Sequence, residues 1–210
     1  MLVSLAAVVA AYLMGAIPFG YLMGRWAKGV DIRRFGSGAT GGTNVLRLLG
    51  WGPALLTALL DLAKGTAATL LGIFVERWAG TPFGLPGPGW LAAFCGLAAV
   101  VGHSWPVYLG FKGGKSVATG AGSMLALFPL YIFLGLPVFL ATVALTRYVS
   151  LGSILATLTI TLLVLFRQPL LSYKVWVLGT ALIIIYRHNA NIKRLLAGTE
   201  SRFGQRVQVK

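Results

Sequence analysis

The first 24 residues carry no charged side chain, and apolar runs of similar length recur along the chain as far as Tyr186. Runs of about 17 or more apolar residues are long enough to cross a bilayer as helices. Between them lie segments rich in glycine and cations. Hydrocarbon cannot solvate exposed peptide groups, so such flexible backbone must sit at a membrane surface or line a cavity within the protein. With 57% hydrophobic and 10% charged residues and a mean hydropathy of +0.83, the chain is not a water-soluble domain. Eighteen Lys and Arg against four Asp and Glu give a net charge of +14. The positive charge is confined to the links between apolar runs. A nucleic-acid binder would carry it on a soluble surface, so nucleic acid is excluded as a partner; the pattern is that of cytoplasmic loops. The lone Cys95 sits in an apolar run and permits no disulfide framework. The N-terminus lacks a basic start and a clear cleavage site, so it reads as a retained span.

The runs divide as follows. A first span is expected at about Leu2–Met23 and a second at about Trp51–Val75, the latter containing Asp61 and Lys64 and closed by Glu76 and Arg77. The glycine- and proline-rich stretch 79–89 breaks helix. A third span starts near Trp90 and ends where Pro106 and Gly113-Gly114 interrupt regular structure. The uncharged run Ser116–Thr146 holds 31 residues. One helix of that length would measure about 46 Å against a hydrocarbon core of about 30 Å. Phe128-Pro129 offers a turn, giving two helices of roughly 14 to 17 residues each. Spans at about Leu151–Phe166 and Leu170–Tyr186 follow, with Lys174 free to snorkel.

Seven spans put the N-terminus outside and the C-terminus in the cytoplasm. Arg25, Lys28, Arg33, Arg34, Arg47, Lys112, Lys115, Arg147 and the six basic residues from Arg187 onward then lie inside, fourteen of the eighteen. Six spans would throw the basic tail to the other face. The expected fold is an all-α integral membrane protein of about seven transmembrane helices with short cytoplasmic glycine-rich loops, forming one domain over residues 1–210.

Three segments carry the chemistry. In the first, Gly36, Gly38 and Gly41 let backbone approach an anion, Ser37 and Thr43 offer hydroxyls, Asn44 an amide and Arg47 a fork for two oxygens. The plain alternative is a flexible loop with a helix cap at Thr43 or Asn44. The order of residues is not that of a Walker A loop. The second segment sets Lys112 and Lys115 around Gly113-Gly114, with Lys115 where a helix should begin. The third runs from Arg187 to Glu200 and includes His188 and Asn191. His103 and His188, the two histidines, each follow the cytoplasmic end of a span. Asp61 and Lys64, three apart, are expected to neutralise each other inside the bundle, and Glu200 to orient a cation by pairing. No carboxylate cluster exists for a divalent metal, and no cofactor motif is present; neither a Ser–His–Asp order nor a reactive cysteine is evident. Such a site binds phosphate but suits a substrate that arrives already activated. Internal repeats are absent, which weakens a transporter reading.

These segments resemble those of the bacterial acyl-phosphate:glycerol-3-phosphate acyltransferases, the PlsY family, over essentially the whole chain. Ser37 to Arg47 matches the family's first motif, except that Ala39 replaces Asn and Gly42 replaces Ala. Gly102-His103, Pro106 and Phe111 to Lys115 match the second, with Ser116 where the family usually has Gly. His188, Asn191, Ile192, Arg194, Leu195, Leu196, Gly198 and Glu200 match the third. The resemblance implies transfer of a fatty acyl group from acyl phosphate to the sn-1 hydroxyl of glycerol 3-phosphate, at the cytoplasmic face of the bacterial inner membrane. Ser37, Arg47, Lys115, His188 and Asn191 are the expected catalytic residues. Gly36, Gly38, Gly41, Thr43, Asn44, His103, Lys112, Gly113, Gly114 and Glu200 are the expected substrate-binding set, with no metal and no cofactor. The proton would go to the substrate's own phosphate, to His103 or to His188. A transporter of phosphorylated metabolites is the rival reading; a purely structural subunit would leave the three segments unexplained.

Overall fold

In the computed structural model, residues 1–205 are described; Arg206 and Lys210, counted above in the basic tail, lie outside the described residues. Ten α-helices carry the described residues, with three short 3-10 turns and no strand among them. They are α1 Leu2–Ala16, α2 Phe19–Lys28, α3 Gly42–Leu49, α4 Trp51–Ala79, α5 Trp90–Ser104, α6 Val117–Leu127, α7 Pro129–Thr146, α8 Val149–Arg167, α9 Leu171–Arg187 and α10 Asn189–Leu196.

The single first span expected over Leu2–Met23 is broken. Pro18 has no N–H to give and its ring crowds the preceding turn, so α1 stops at Ala16 and α2 starts at Phe19. The carbonyl of Ile17 left at the break accepts a hydrogen bond from Lys64 Nζ at 2.7 Å. The second span runs on to Ala79, past the expected end at Val75, and Glu76 finds a use there. Its carboxylate accepts from the N–H groups of Gly89 (2.7 Å) and Leu91 (3.0 Å). Those are unpaired donors at the start of α5, where negative charge is favoured. The turn expected at Phe128-Pro129 is present, but it divides the run unevenly, into 11 residues of α6 and 18 of α7.

Five segments are long and apolar enough to cross a membrane: α1 with α2, α4, the stretch Trp90–Leu109 containing α5, α7, and α8. Helix α6 is a shorter apolar helix, and α9 has 17 residues. Helix α5 is central, with 11 of its 15 residues buried; α1, α4 and α9 pack around it, α6 lies along α4, and α7 pairs with α8. Lipid tails are as apolar as leucine, so helices in a membrane associate by close packing of small residues. A Cβ at Gly65 would collide with the Thr119 carbonyl, and one at Gly122 with that of Leu62. This close approach fixes α6, and with it Lys115, against α4.

Candidate active site

The glycine-rich loop before α3 is folded by one side chain. Asn44 Nδ2 lies 3.0–3.1 Å from the carbonyls of Ile32, Phe35 and Ala39, and Asn44 Oδ1 accepts from the Ser37 N–H at 3.1 Å. The cap expected at Thr43 or Asn44 is instead the backbone of Gly41. Asn44, expected to bind substrate, is buried and borders the cavity described below, and its amide also holds the loop together. It acts as the staple that presents Ser37 and Arg47. Gly36 and Gly38 have φ of 57° and 69°. Both turn the chain through the left-handed region and do not line the cavity described below.

The second segment is held from the other side. Arg187 Nε donates to the Gly114 carbonyl (2.9 Å) and its Nη2 to the Gly113 carbonyl (3.0 Å), while its guanidinium lies over the Trp105 ring at 5.6 Å. The Gly114 N–H donates to the His103 carbonyl at 3.0 Å. A side chain at Gly114 would collide with the His103 imidazole. These two glycines therefore serve close packing and carbonyl pairing, and neither lines the cavity; Lys112 is exposed and also lies off it. Lys115 is turned inward, two residues before α6 begins. Ser116, at φ 61°, is anchored by contacts of 2.6 Å to Ser104 Oγ and 2.7 Å to the Val100 carbonyl.

From the third segment, Glu200 is buried and accepts three hydrogen bonds: from Asn191 Nδ2 (2.6 Å), Ser150 Oγ (2.9 Å) and Arg194 Nε (2.7 Å). Burial alone would raise its carboxyl; the hydrogen bonds from Asn191, Ser150 and Arg194 outweigh that and hold it below the ordinary value. His188 Nδ1 lies 2.8 Å from the Ile184 carbonyl. A carbonyl only accepts, so Nδ1 carries the proton and Nε2 is the free lone pair of the neutral ring. Burial, and then the Lys115 charge, push His188 down to about 4.

These pieces meet on one cavity of about 1040 Å³. Ser37, Gly41, Thr43 and Arg47 reach it from the first segment and Lys115 from the second. His188, Asn191 and Glu200 reach it from the third. Burial lowers Arg47 from its ordinary value, with Glu200 opposing and Arg194 adding. Burial also draws Lys115 down to about 8; Glu200 opposes this, while Arg194, Arg47 and Arg187 add to it. Cations that depress one another around a single, already saturated carboxylate make a site for an anion.

His103 also borders the cavity, as does Asp61. Lys64 Nζ and His103 Nδ1 approach Asp61 Oδ1 at 2.8 and 3.3 Å. The lysine contact is an ion pair and the histidine contact a close approach; Oδ1 has no partner of hydrogen-bond geometry. The expected Asp61–Lys64 pair is therefore present, with His103 as an unforeseen third member. Arg187 and Ser150 were also missed as site residues. Arg187 had a signal, its place beside His188 in a cation-rich segment. Ser150 had none, because its partner Glu200 is 50 residues away. Away from the cations, the cavity continues between α4, α6, α7, α8 and α9 over a wall of Leu, Ala, Ile and Met side chains.

Residues 5–198 match the glycerol-3-phosphate acyltransferase family. Glycerol-3-phosphate acyltransferase of Synechococcus elongatus is 48% identical over 210 residues, covering 99% of this chain and 98% of its own. That of Symbiobacterium thermophilum is 46% identical over 207 residues, with 99% and 97% covered. Among solved structures, PlsY, an integral membrane glycerol 3-phosphate acyltransferase, matches in its glycerol 3-phosphate form with a TM-score of 0.85 at 40% identity, covering 96% of both chains. Its lysophosphatidic acid form gives 0.83, with the same identity and coverage. With an all-helical membrane architecture and these matches along nearly its full length, the chain belongs to the glycerol-3-phosphate acyltransferase family.

Proposed function

We propose that this protein transfers a fatty acyl group from acyl phosphate to the sn-1 hydroxyl of glycerol 3-phosphate, releasing lysophosphatidic acid and inorganic phosphate. The observation that carries this reading is the union, in one cavity, of a cationic end with a long apolar arm. Phosphate belongs at the first and an acyl chain in the second. The related enzymes named above are glycerol-3-phosphate acyltransferases, and the solved neighbour is described in forms with glycerol 3-phosphate and with lysophosphatidic acid.

In this reading Arg47, Lys115 and Ser37 hold phosphate oxygens, and the Glu200–Asn191–Arg194 cluster fixes the third segment beside them. The substrate hydroxyl attacks the acyl carbonyl carbon, the bond from that carbon to the phosphate oxygen breaks, and the electron pair leaves on phosphate. An acyl phosphate is a mixed anhydride with a good leaving group, so positioning and neutralisation of charge do most of what is required. The hydroxyl proton passes to phosphate. A phosphate dianion, with a second pKa of about 6, is a stronger base than His188, which is held near 4. The neutral imidazole of His188 then serves as a hydrogen-bonding wall. Seven spans, an outside N-terminus and a cytoplasmic mouth in the inner membrane complete the proposal; the soluble dianion then arrives from the cytoplasm and the lipid-like donor from the bilayer. Donor exchange tests it. Purified protein should acylate glycerol 3-phosphate with palmitoyl phosphate and not with palmitoyl-CoA, whose thioester leaves without the phosphate that the cations hold. Equal rates with both donors would contradict the proposal.

A further inference from the structure

Followed away from the cations, the lining of the apolar arm reaches Met124 on α6, Thr161 on α8 and Trp176 on α9. On α6 its wall passes from Ala118, Gly120 and Ala121 to Met124, and on α8 from Ser153 and Ala156 to Ile160. At the same level α9 contributes Trp176. Met124 and Trp176 are each 1% exposed and pack in one buried cluster with Ala93, Val164 and Val177. Phe128, Leu127 and Tyr173 pack against that cluster.

The indole of Trp176 is set back by a glycine. A Cβ at Gly96 would lie 2.8 Å from Trp176 Nε1 and 2.9 Å from Thr69 Oγ1, so any side chain there would press the ring toward the cavity. Its N–H has no hydrogen-bond partner among the described residues, so packing alone holds the ring. The 12 residues from His188, at the cationic end, back to Trp176 rise about 18 Å at helical pitch. That depth suits an extended acyl chain of bounded length.

We infer that Trp176, backed by Gly96 and flanked by Met124 and Ile160, is the floor that sets the longest acyl chain the enzyme accepts from its donor. The inference rests on the acyl transfer proposed above. A chain that meets the floor loses burial for each further methylene, and a hydrophobic pocket discriminates about tenfold or more over one or two methylenes. Small residues higher on the wall keep the arm open above the floor.

The test is a donor series of myristoyl, palmitoyl and stearoyl phosphate at fixed glycerol 3-phosphate. The wild type is compared with Met124→Ala and Trp176→Ala, which deepen the arm, and with Ala121→Leu and Ala156→Leu, which shorten it. Deepening should raise the stearoyl-to-myristoyl rate ratio by about tenfold or more. Shortening should lower it to a similar extent, with KM for glycerol 3-phosphate unchanged in all. If Trp176→Ala does not fold, the two leucine variants decide, because they add bulk at half-buried wall positions and remove no packing. A wild-type ratio in folded Ala121→Leu and Ala156→Leu would overturn the floor. Failure of the wild type to consume acyl phosphate of any length would instead remove the reading on which the floor depends.

Discussion

Lys115 is the cation whose charge depends most on its surroundings. Drawn down to about 8 by burial, it is charged near neutrality and sheds its proton as pH rises through that value. Phosphate affinity is lost in the same direction. In the free enzyme, kcat/KM for glycerol 3-phosphate should therefore fall above about pH 8, and Lys115→Arg should move that fall out of range, since a guanidinium stays charged. A wild-type profile flat to pH 10 would remove Lys115 from the site. Arg47→Ala and Lys115→Ala should each lower kcat/KM by about 10- to 150-fold, the equivalent of one charge-assisted hydrogen bond at roughly 1.5–3 kcal/mol. Lys174→Ala should be nearly silent. The residue types were legible in the sequence, since Gly, Arg and Lys beside apolar runs announce an anion site. Their division of labour was not. Nothing in the sequence shows that the Asn44 amide holds the carbonyls of Ile32, Phe35 and Ala39. Ser116 is the clearest case. Its backbone sits at φ 61°, which costs a non-glycine residue roughly 1–2 kcal/mol. The bonds from its hydroxyl to Ser104 and Val100 offset that strain, and no periodicity in the sequence foretells them.

At the scale of helices, proline was the most legible signal. Pro129 ends one helix and starts the next as expected, because it has no N–H to continue α6. Pro18 breaks the first span for the same reason, but its neighbours are so uniformly apolar that hydropathy alone hides the break. Helix α6 carries the main consequence for function. Its 11 residues rise only about 16 Å at helical pitch, half of a hydrocarbon core. Gly65 and Gly122 hold it near the middle of α4. Lys115 is thereby placed where the cationic end of the cavity joins the apolar arm. The proposed seven crossings need α6 with its loops to traverse the bilayer. In a variant lacking Cys95, cysteines placed at Lys112 and Lys193 should react only with cytoplasmic reagent, and one at Phe83 only from outside. All three side chains are exposed. External labelling at Lys193 would mean that α6 and α7 together cross once, or that α9 does not cross.

Taken whole, the cavity joins a cationic end at Arg47 and Lys115 to an apolar arm between α6, α7 and α8. Under the function proposed above, the cytoplasm supplies a small dianion to the first and the bilayer an apolar donor to the second. Transport would need a path onward to the far face; Met124, Val164 and Trp176 pack in a buried cluster at the apolar side of the cavity. The decisive measurement uses purified protein in proteoliposomes with labelled glycerol 3-phosphate, with and without palmitoyl phosphate. With the donor present, label should enter the lipid phase as lysophosphatidic acid, one inorganic phosphate being released per acyl transferred; without it, label should stay outside the vesicles. Accumulation of unmodified glycerol 3-phosphate inside the vesicles in the absence of donor, with no lipid product in its presence, would contradict the account.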